Sequence, residues 1–265
     1  MTMNNKIANN SCKVIALTNQ KGGVAKSFTT ASLAVGLVQE GKKVLVIDND
    51  PQGHASRCLG VKNASVTIAD VMDRLIKGEQ LKAGYGITST EEGVDLLAAN
   101  VNYAMLEFSL ISVMSREKVL EEFVQMEREF YDYILIDCPP NLGIFVLNAL
   151  NAADSALIPV KLEDLSIDGL QQLIQTIGMA KRHLNPSLEI CGILFTVVEP
   201  RTVLAKQSMA AIREAYGEHV KIYDTIIPKS VKAAECPASG ISIYKYDPCG
   251  SVAAAYKSLT REVIG

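Results

Sequence analysis

No apolar run in this 265-residue chain approaches the roughly 20 residues of a membrane span. The stretch from Met1 to Lys13 is polar and lacks the apolar core of a secretory signal. Six cysteines (Cys12, Cys58, Cys138, Cys191, Cys236, Cys249) are scattered, with no C-x-x-C spacing and no histidine cluster beside them. That pattern favours reduced cytosolic thiols over a zinc site or a disulfide framework. There is no long Pro/Gly/Ser-rich linker, no low-complexity tract and no short-period repeat. A formal net charge of −3 excludes a generally basic nucleic-acid binder. What remains is 48% hydrophobic and 21% charged residues, enough to bury a large core. The length suits one undivided α/β sheet, so residues 13–265 are expected to form a single domain behind a flexible stretch, 1–12.

Phosphate-binding chemistry is present. The apolar run Val14-Ile15-Ala16-Leu17 precedes Asn19-Gln20-Lys21-Gly22-Gly23-Val24-Ala25-Lys26-Ser27, and a helix-patterned segment begins near Phe28. A buried strand, a Gly-rich turn and a helix N-terminus together point backbone N–H groups and the positive end of a helix dipole at one spot. Lys26 is placed to reach outer phosphates and the Ser27 hydroxyl to ligate Mg²⁺. The general pattern G-x-x-x-x-G-K-[ST] would put glycine at positions 20 and 25, where this chain has Gln20 and Ala25. It has instead a second lysine, Lys21, ahead of Gly22-Gly23.

Two more apolar runs end in acids: Val44-Leu45-Val46-Ile47-Asp48-Asn49-Asp50-Pro51-Gln52-Gly53, and Tyr133-Ile134-Leu135-Ile136-Asp137-Cys138-Pro139-Pro140. Continuous β-branched runs read as buried parallel strands, whose carboxyl ends are where α/β sheets place ligands. A single strand-end Asp is usually a turn or a cap; three strand ends bearing Lys26/Ser27, Asp48/Asp50 and Asp137 have no such plain reading. Along the chain, strands are expected at Val14–Thr18, Val44–Asp48, Val94–Ala98, Tyr133–Asp137, Ser155–Lys161, Leu188–Val198 and within His219–Ile227. Helices are expected at Lys26–Glu40, Thr67–Leu75, Arg116–Glu129, Ile144–Ala152, Ser166–His183, Thr202–Tyr216 and Ser251–Val263. The alternation predicts an α/β fold of the P-loop NTPase kind, a mostly parallel sheet with helices on both faces.

Lys-Gly-Gly-Val-x-Lys-[Ser/Thr] resembles the deviant Walker A motif of the ParA/MinD group of P-loop ATPases. Asp-x-Asp-Pro-Gln-Gly is similar to its Walker A′ motif and the strand ending in Asp137 to its Walker B. The resemblance runs from Lys13 to about Val263. Leu157-Ile158-Pro159-Val160 is similar to the strand after Walker B, and Thr196 to Thr202 to the segment entering the next helix. Ile226 to Pro237 resembles an Ile-Pro-Arg…Glu-Ala-Pro stretch, and Tyr246-Asp247-Pro248 before a Ser/Ala-rich helix is also similar. Order and spacing favour the short, Soj-like class of ParA partition ATPases, since about a dozen residues before the first strand leave no room for a helix-turn-helix domain.

The resemblance implies ATP and Mg²⁺ as cofactors and an ATP-dependent homodimer that hydrolyses ATP slowly. It implies nonspecific DNA binding and a ParB-like centromere-binding protein that stimulates hydrolysis. The expected role is partitioning or positioning a plasmid, chromosome or mobile element from a cytoplasmic, nucleoid-associated location. By role, Lys26 and the amides of 22–27, thus Gly22, Gly23, Val24 and Ala25 with Lys21, Ser27 and Phe28, hold the nucleotide, and Pro228 lies near the adenine. Ser27, Asp48 and Asp137 hold Mg²⁺. Lys21 neutralises charge across the dimer, and Asp50 orients the attacking water. Gln52 and Gly53 either shape the pocket or simply make a turn.

Residues 199–265 carry nine Lys/Arg against seven Asp/Glu, whereas residues 1–198 carry 17 against 22. Arg201, Lys206, Arg213, Lys229, Lys232 and Lys245 offer a stripe for phosphate backbone. Charge alone favours an ordinary solvated surface; the resemblance favours DNA, with Arg201, Lys206, Lys229 and Lys232 as the contacts. Three readings of Ala25 stay open: a harmless variant, a brake on hydrolysis, or the mark of a nucleotide-free relative; an alternative function is a nucleotide-binding interaction protein with little hydrolysis because of Ala25. A MinD-like membrane switch would need a bulky amphipathic C-terminal helix. Ser251–Gly265 has Val252, Tyr256, Leu259 and Val263 on one side but no Phe or Trp, which suits docking on the sheet, and no membrane partner is expected. An iron–sulfur reductase would need cluster-ligating cysteines past Walker B, where Cys138 and Cys191 read as core.

Overall fold

Alternation of side chains along each short apolar strand dictates two faces, and both faces are covered. A computed structural model describes residues 12–162 and 167–265. The expected flexible stretch lies outside these residues except for Cys12, which is buried. Eight strands are described: β1 (Lys13–Leu17), β2 (Val44–Asp48), β3 (Ile87–Ser89), β4 (Asp95–Leu97), β5 (Tyr133–Asp137), β6 (Ser155–Lys161), β7 (Glu189–Val198) and β8 (Ile222–Pro228). They form one sheet in the order β3-β4-β2-β5-β1-β6-β7-β8, parallel throughout except for β3 against β4. Parallel strands need crossovers, and the helices supply them.

On one face Val14, Ala16, Leu45, Ile47, Ile134 and Ile136 pack against α3 (Ile68–Ile76), α4 (Leu106–Leu110), α5 (Val119–Glu127), α6 (Ile144–Ala152), α7 (Ile167–His183) and α8 (Val203–Tyr216). On the other, Ile15, Leu17, Val44, Val46 and Leu135 meet α1 (Lys26–Gln39), α2 (His54–Cys58), α9 (Val231–Ser239), α10 (Ile243–Tyr246) and α11 (Ser251–Ile264). The period-two split between the clusters is what a sheet buried on both sides requires.

Expected and observed elements agree closely from β1 to α1 and from β5 to β6. The helix expected over Arg116–Glu129 is shorter. Its ends are 3₁₀ turns, Arg116–Lys118 and Arg128–Phe130, around α5. Arg128 turns away to bind both carboxylate oxygens of Asp154 at 2.7 and 3.1 Å and the Cys12 carbonyl at 3.2 Å. Asp154 also accepts from Val14 N–H at 2.8 Å, so this cluster ties the start of β1 to the loop before β6. The elements absent from the sequence reading (α2, β3, α4, α9, α10) are short, and α9 carries Pro237 inside it.

Gly36 in α1 faces α11, where an added Cβ would stand 2.3 Å from Thr260 Oγ1 and 2.6 Å from Tyr244 Oη. Helix propensity favours alanine there by about 1 kcal/mol, but overpacking a close helix contact costs about 1–3 kcal/mol. Gly36→Ala is therefore expected to lower the urea midpoint of unfolding. A raised midpoint would mean that α11 does not sit this close to α1.

Candidate active site

The loop between β1 and α1 is anchored from below at several points. Asn19, buried at the end of β1, donates to the Pro159 carbonyl at 2.7 Å and accepts from Lys21 N–H at 3.0 Å. Gln20 donates to the Gly169 carbonyl at 2.9 Å, and Thr196 Oγ1 donates to the Val24 carbonyl at 2.9 Å. The loop is thus tied to β6, α7 and β7, which pre-organises its amides. Ala25, the residue before α1, sits at φ 60° and ψ 31°. This left-handed geometry costs an L-residue about 1 kcal/mol relative to glycine. Lys26 is 7% exposed, and its Nζ donates to the Lys21 carbonyl at 3.0 Å. Burial pulls its pKa below the ordinary lysine value, against the opposing charge of Asp137.

Opposite the loop, adjacent strands present two acids side by side. Asp48 and Asp137 are register partners at the ends of β2 and β5, and both are fully buried. Asp48 Oδ2 accepts from Ser56 N–H and Ser56 Oγ, each at 2.7 Å, and Oδ1 from Asp50 N–H at 3.3 Å. Asp137 Oδ1 accepts from Thr30 Oγ1 at 3.1 Å, while its Oδ2 is buried with no hydrogen-bond partner. Burial pushes Asp137 up to about 8, with the Asp48 charge adding and the Ser27 hydroxyl and Lys26 opposing. Burial pushes Asp48 up to about 6, with the Ser56 bonds opposing.

An orphaned carboxylate oxygen beside a hydroxyl and a second acid fits a hard, oxygen-seeking cation. Among the described residues no group of three or more His, Cys, Asp or Glu is arranged to hold a metal by itself. That agrees with an ion shared between protein oxygens and ligand phosphates. Asp50 is 5% exposed; its Oδ1 accepts from Gln52 N–H at 2.9 Å and its Oδ2 lies 3.9 Å from His54 Nδ1.

Two cavities meet at the loop. One, of about 540 Å³, is lined by Gly22, Gly23, Ala25, Lys26, Ser27 and Asp50, with Gln52 and, from α2, His54 and Arg57. The other, of about 320 Å³, is mostly apolar and includes Pro228, Val197, Ile227 and Tyr256. Gly23, Ala25, Phe28 and Pro237 line both. Phe28 stands edge-on to Tyr256 at 5.7 Å. Gly53, at φ 63°, is the residue before α2, which favours the turn reading for it, while Gln52 lines the cavity. Val24 is buried beneath the loop, and Lys21 is half-buried at its start.

The basic candidates gather toward the carboxyl ends of β7 and β8 and none lines the phosphate-side cavity, although Lys229 lines the apolar one. Arg201 and Lys206 flank the Thr202 cap of α8, and Lys229 N–H bonds the Val198 carbonyl at 2.9 Å. Lys229 pairs with Glu199 at 2.5 Å and Lys232 with Asp247 at 2.8 Å, so part of that charge is already answered. Lys245 pairs with Glu92 at 3.2 Å. Val252, Tyr256 and Leu259 of α11 are buried in the core facing α1, as expected for a helix docked on the sheet. Among the described residues no helix is long and apolar enough to cross a membrane. Cys138 is fully buried and Cys191 half-buried, and neither is disulfide-bonded. His54, Ser56 and Arg57 had no sequence signal, because five residues are too few to display a helical period.

The family described as AAA domain matches residues 12–190. The sporulation initiation inhibitor protein Soj of Bacillus subtilis is 39% identical over 260 residues, covering 95% of this chain and 98% of that protein. The chromosome partitioning protein ParA of Caulobacter vibrioides is 35% identical over 259 residues, covering 96% and 95%. Among solved structures, cobyrinic acid a,c-diamide synthase from Mycobacterium smegmatis, with bound ADP and magnesium, superposes with a TM-score of 0.81 at 29% identity, covering 96% and 94%. With its loop, paired acids and sheet order, the chain belongs to the ParA/Soj family of partition ATPases, within the ParA/MinD group of P-loop proteins.

Proposed function

We propose that this protein is an ATP-dependent dimerisation switch that hydrolyses ATP slowly, binds DNA nonspecifically and partitions a plasmid, chromosome or mobile element. The observation that carries this reading is the convergence of the Lys21–Ser27 loop, Asp48, Asp50 and Asp137 on one cavity. The amides of residues 22–27 and Lys26 hold the β- and γ-phosphates, which requires Lys26 to leave the Lys21 carbonyl. The adenine lies in the apolar cavity beside Pro228, and Phe28 lines the seam between base and phosphates.

Ser27 and Asp137, with Asp48 behind them, hold Mg²⁺, which when bound neutralises phosphate charge. Asp50 accepts from and orients the attacking water. Lys21 reaches the partner's nucleotide, so the dimer forms only when both sites are filled. Family membership supports slow hydrolysis and a stimulating ParB-like partner. Arg201, Lys206, Lys229 and Lys232 contact DNA phosphates without reading bases. The Glu199 and Asp247 pairs are exposed and contribute about 0–1 kcal/mol each, so a polyanion displaces them readily. This places the protein in the cytoplasm, on the nucleoid.

Titration with ATP and light scattering of the eluted species test the switch together. Lys26→Ala is expected to abolish ATP binding. Lys21→Ala is expected to keep monomer binding and lose ATP-dependent dimerisation. A Lys21 variant that dimerises with ATP like the parent would overturn the switch.

Ala25 lines both cavities at a strained φ. Ala25→Gly takes the methyl group out of the seam and relieves about 1 kcal/mol of backbone strain, while the looser unfolded chain offsets about 0.4–1 kcal/mol. Apo stability should change little, and ATP affinity should rise about fivefold or more. Equal affinity in the two forms would show that Ala25 is neutral.

A further inference from the structure

Arg57 stands out among the residues of the phosphate-side cavity because nothing among the described residues answers its charge. It lines that cavity together with Gly22, Gly23, Lys26 and Ser27. Among the described residues its exposed guanidinium has no hydrogen-bond or ion-pair partner, whereas Lys229, Lys232 and Lys245 on the basic edge each pair with a carboxylate. The acids of the cavity are otherwise engaged. Asp50 is held by Gln52 N–H and faces His54, and Asp48 is held by Ser56. Among the described residues no anion is left for Arg57, so its charge is open to one carried by a ligand.

Its backbone is also fixed. The next residue back, Ser56, bonds Asp48 twice, and α2 is closed against α9 where a Cβ on Gly60 would stand 2.6 Å from the Gly240 carbonyl oxygen. A guanidinium on a short, firmly held helix loses little entropy on engaging a ligand, and its planar fork matches phosphate oxygens two at a time.

We propose that Arg57 is a phosphate-binding residue of the nucleotide site, reaching the ligand from α2 rather than from the loop, given that the cavity takes a nucleotide as set out above. It adds a cation to this chain's own site, distinct from Lys21 and Lys26 on the loop. His54, three residues earlier, lines the same cavity but is directed to Asp50, so the two side chains divide between acid and ligand.

Equilibrium titrations with ATP and with adenosine, at low and raised salt, test this on Arg57→Ala, Arg57→Gln and Arg57→Lys. The first two should bind ATP roughly ten- to a hundredfold more weakly, with a shallower salt dependence, and should bind adenosine as the parent does. Arg57→Lys should recover part of the loss, and all three should melt with the parent in the absence of ligand. A parallel loss of adenosine affinity would overturn the assignment in favour of packing. Unchanged ATP affinity would overturn it too, and with DNA co-sedimentation reduced would move Arg57 to the DNA surface. If the parent binds no nucleotide, the reading of the cavity itself falls, and Arg57 with it.

Discussion

Two carboxyl groups, Asp48 and Asp137, end neighbouring parallel strands in the same register and are wholly shut away from water. Adjacent strands lie about 4.8 Å apart, so neither acid can ionise without feeling the other. Burial pushes them up to about 6 and about 8, with the Asp48 charge adding at Asp137. Lys26, buried beside them, is pulled the other way. No apolar core gains by such an arrangement, since uncompensated buried charge costs several kcal/mol. The surroundings quiet it only in part: Ser56 gives Asp48 two bonds, Thr30 gives Asp137 one, and Asp137 Oδ2 receives none. The oxygens of Asp137 and Asp48 would suit a divalent cation, which would supply the missing charge.

The rest of the sheet keeps that pair in place. β5 lies between β1 and β2, so the acid of β5 stands between the loop of β1 and the acids of β2. The loop is held through Asn19, Gln20 and Val24 to β6, α7 and β7. Of the three described non-glycine residues at positive φ, Ala25 and Val197 line the apolar cavity and Ser115 lies elsewhere, and Val197 lies where β7 slips register against β8. Strained backbone of this kind persists only where surrounding bonds over-determine it. Thr196 beside Val197 donates to the loop, which joins the β7 irregularity to the phosphate side.

How much of this the residue string reveals depends on length scale. Apolar runs ending in Asp48 and Asp137, and the loop from Lys21 to Ser27, announce themselves because buried parallel strands are continuous and glycine punctuates turns. The helix from Ile144 to Ala152 and the strand from Ser155 to Lys161 match their expected limits. Elements of three to five residues carry no period, so α2 and β3 are silent in sequence. With α2 go His54, Ser56 and Arg57, three residues that touch the acids or the cavity. Charge counting is similarly blind to pairing: the basic C-terminal quarter looks freer in sequence than it is, because Glu199, Asp247 and Glu92 come to its lysines only in the fold. The left-handed geometry at Ala25 was foreshadowed by the missing glycine; that at Val197 had no sequence signal, since a β-branched residue is the least expected there.

The Asp48–Asp137 pair as a cation-completed centre is the core of this account, and the Mg²⁺ dependence of ATP affinity tests it most directly. Asp137→Asn keeps the shape and replaces a carboxyl that burial pushes up to about 8 with a group that cannot ionise. The variant is expected to melt at or above the temperature of the ligand-free parent at neutral pH, because the unfolded parent gains by ionising this carboxyl and the unfolded variant does not. Added Mg²⁺ should then no longer tighten its hold on ATP, whereas the parent tightens steeply. A variant with the parent's Mg²⁺ dependence, or one that melts well below the parent without ligand, would contradict the central role given to these two acids.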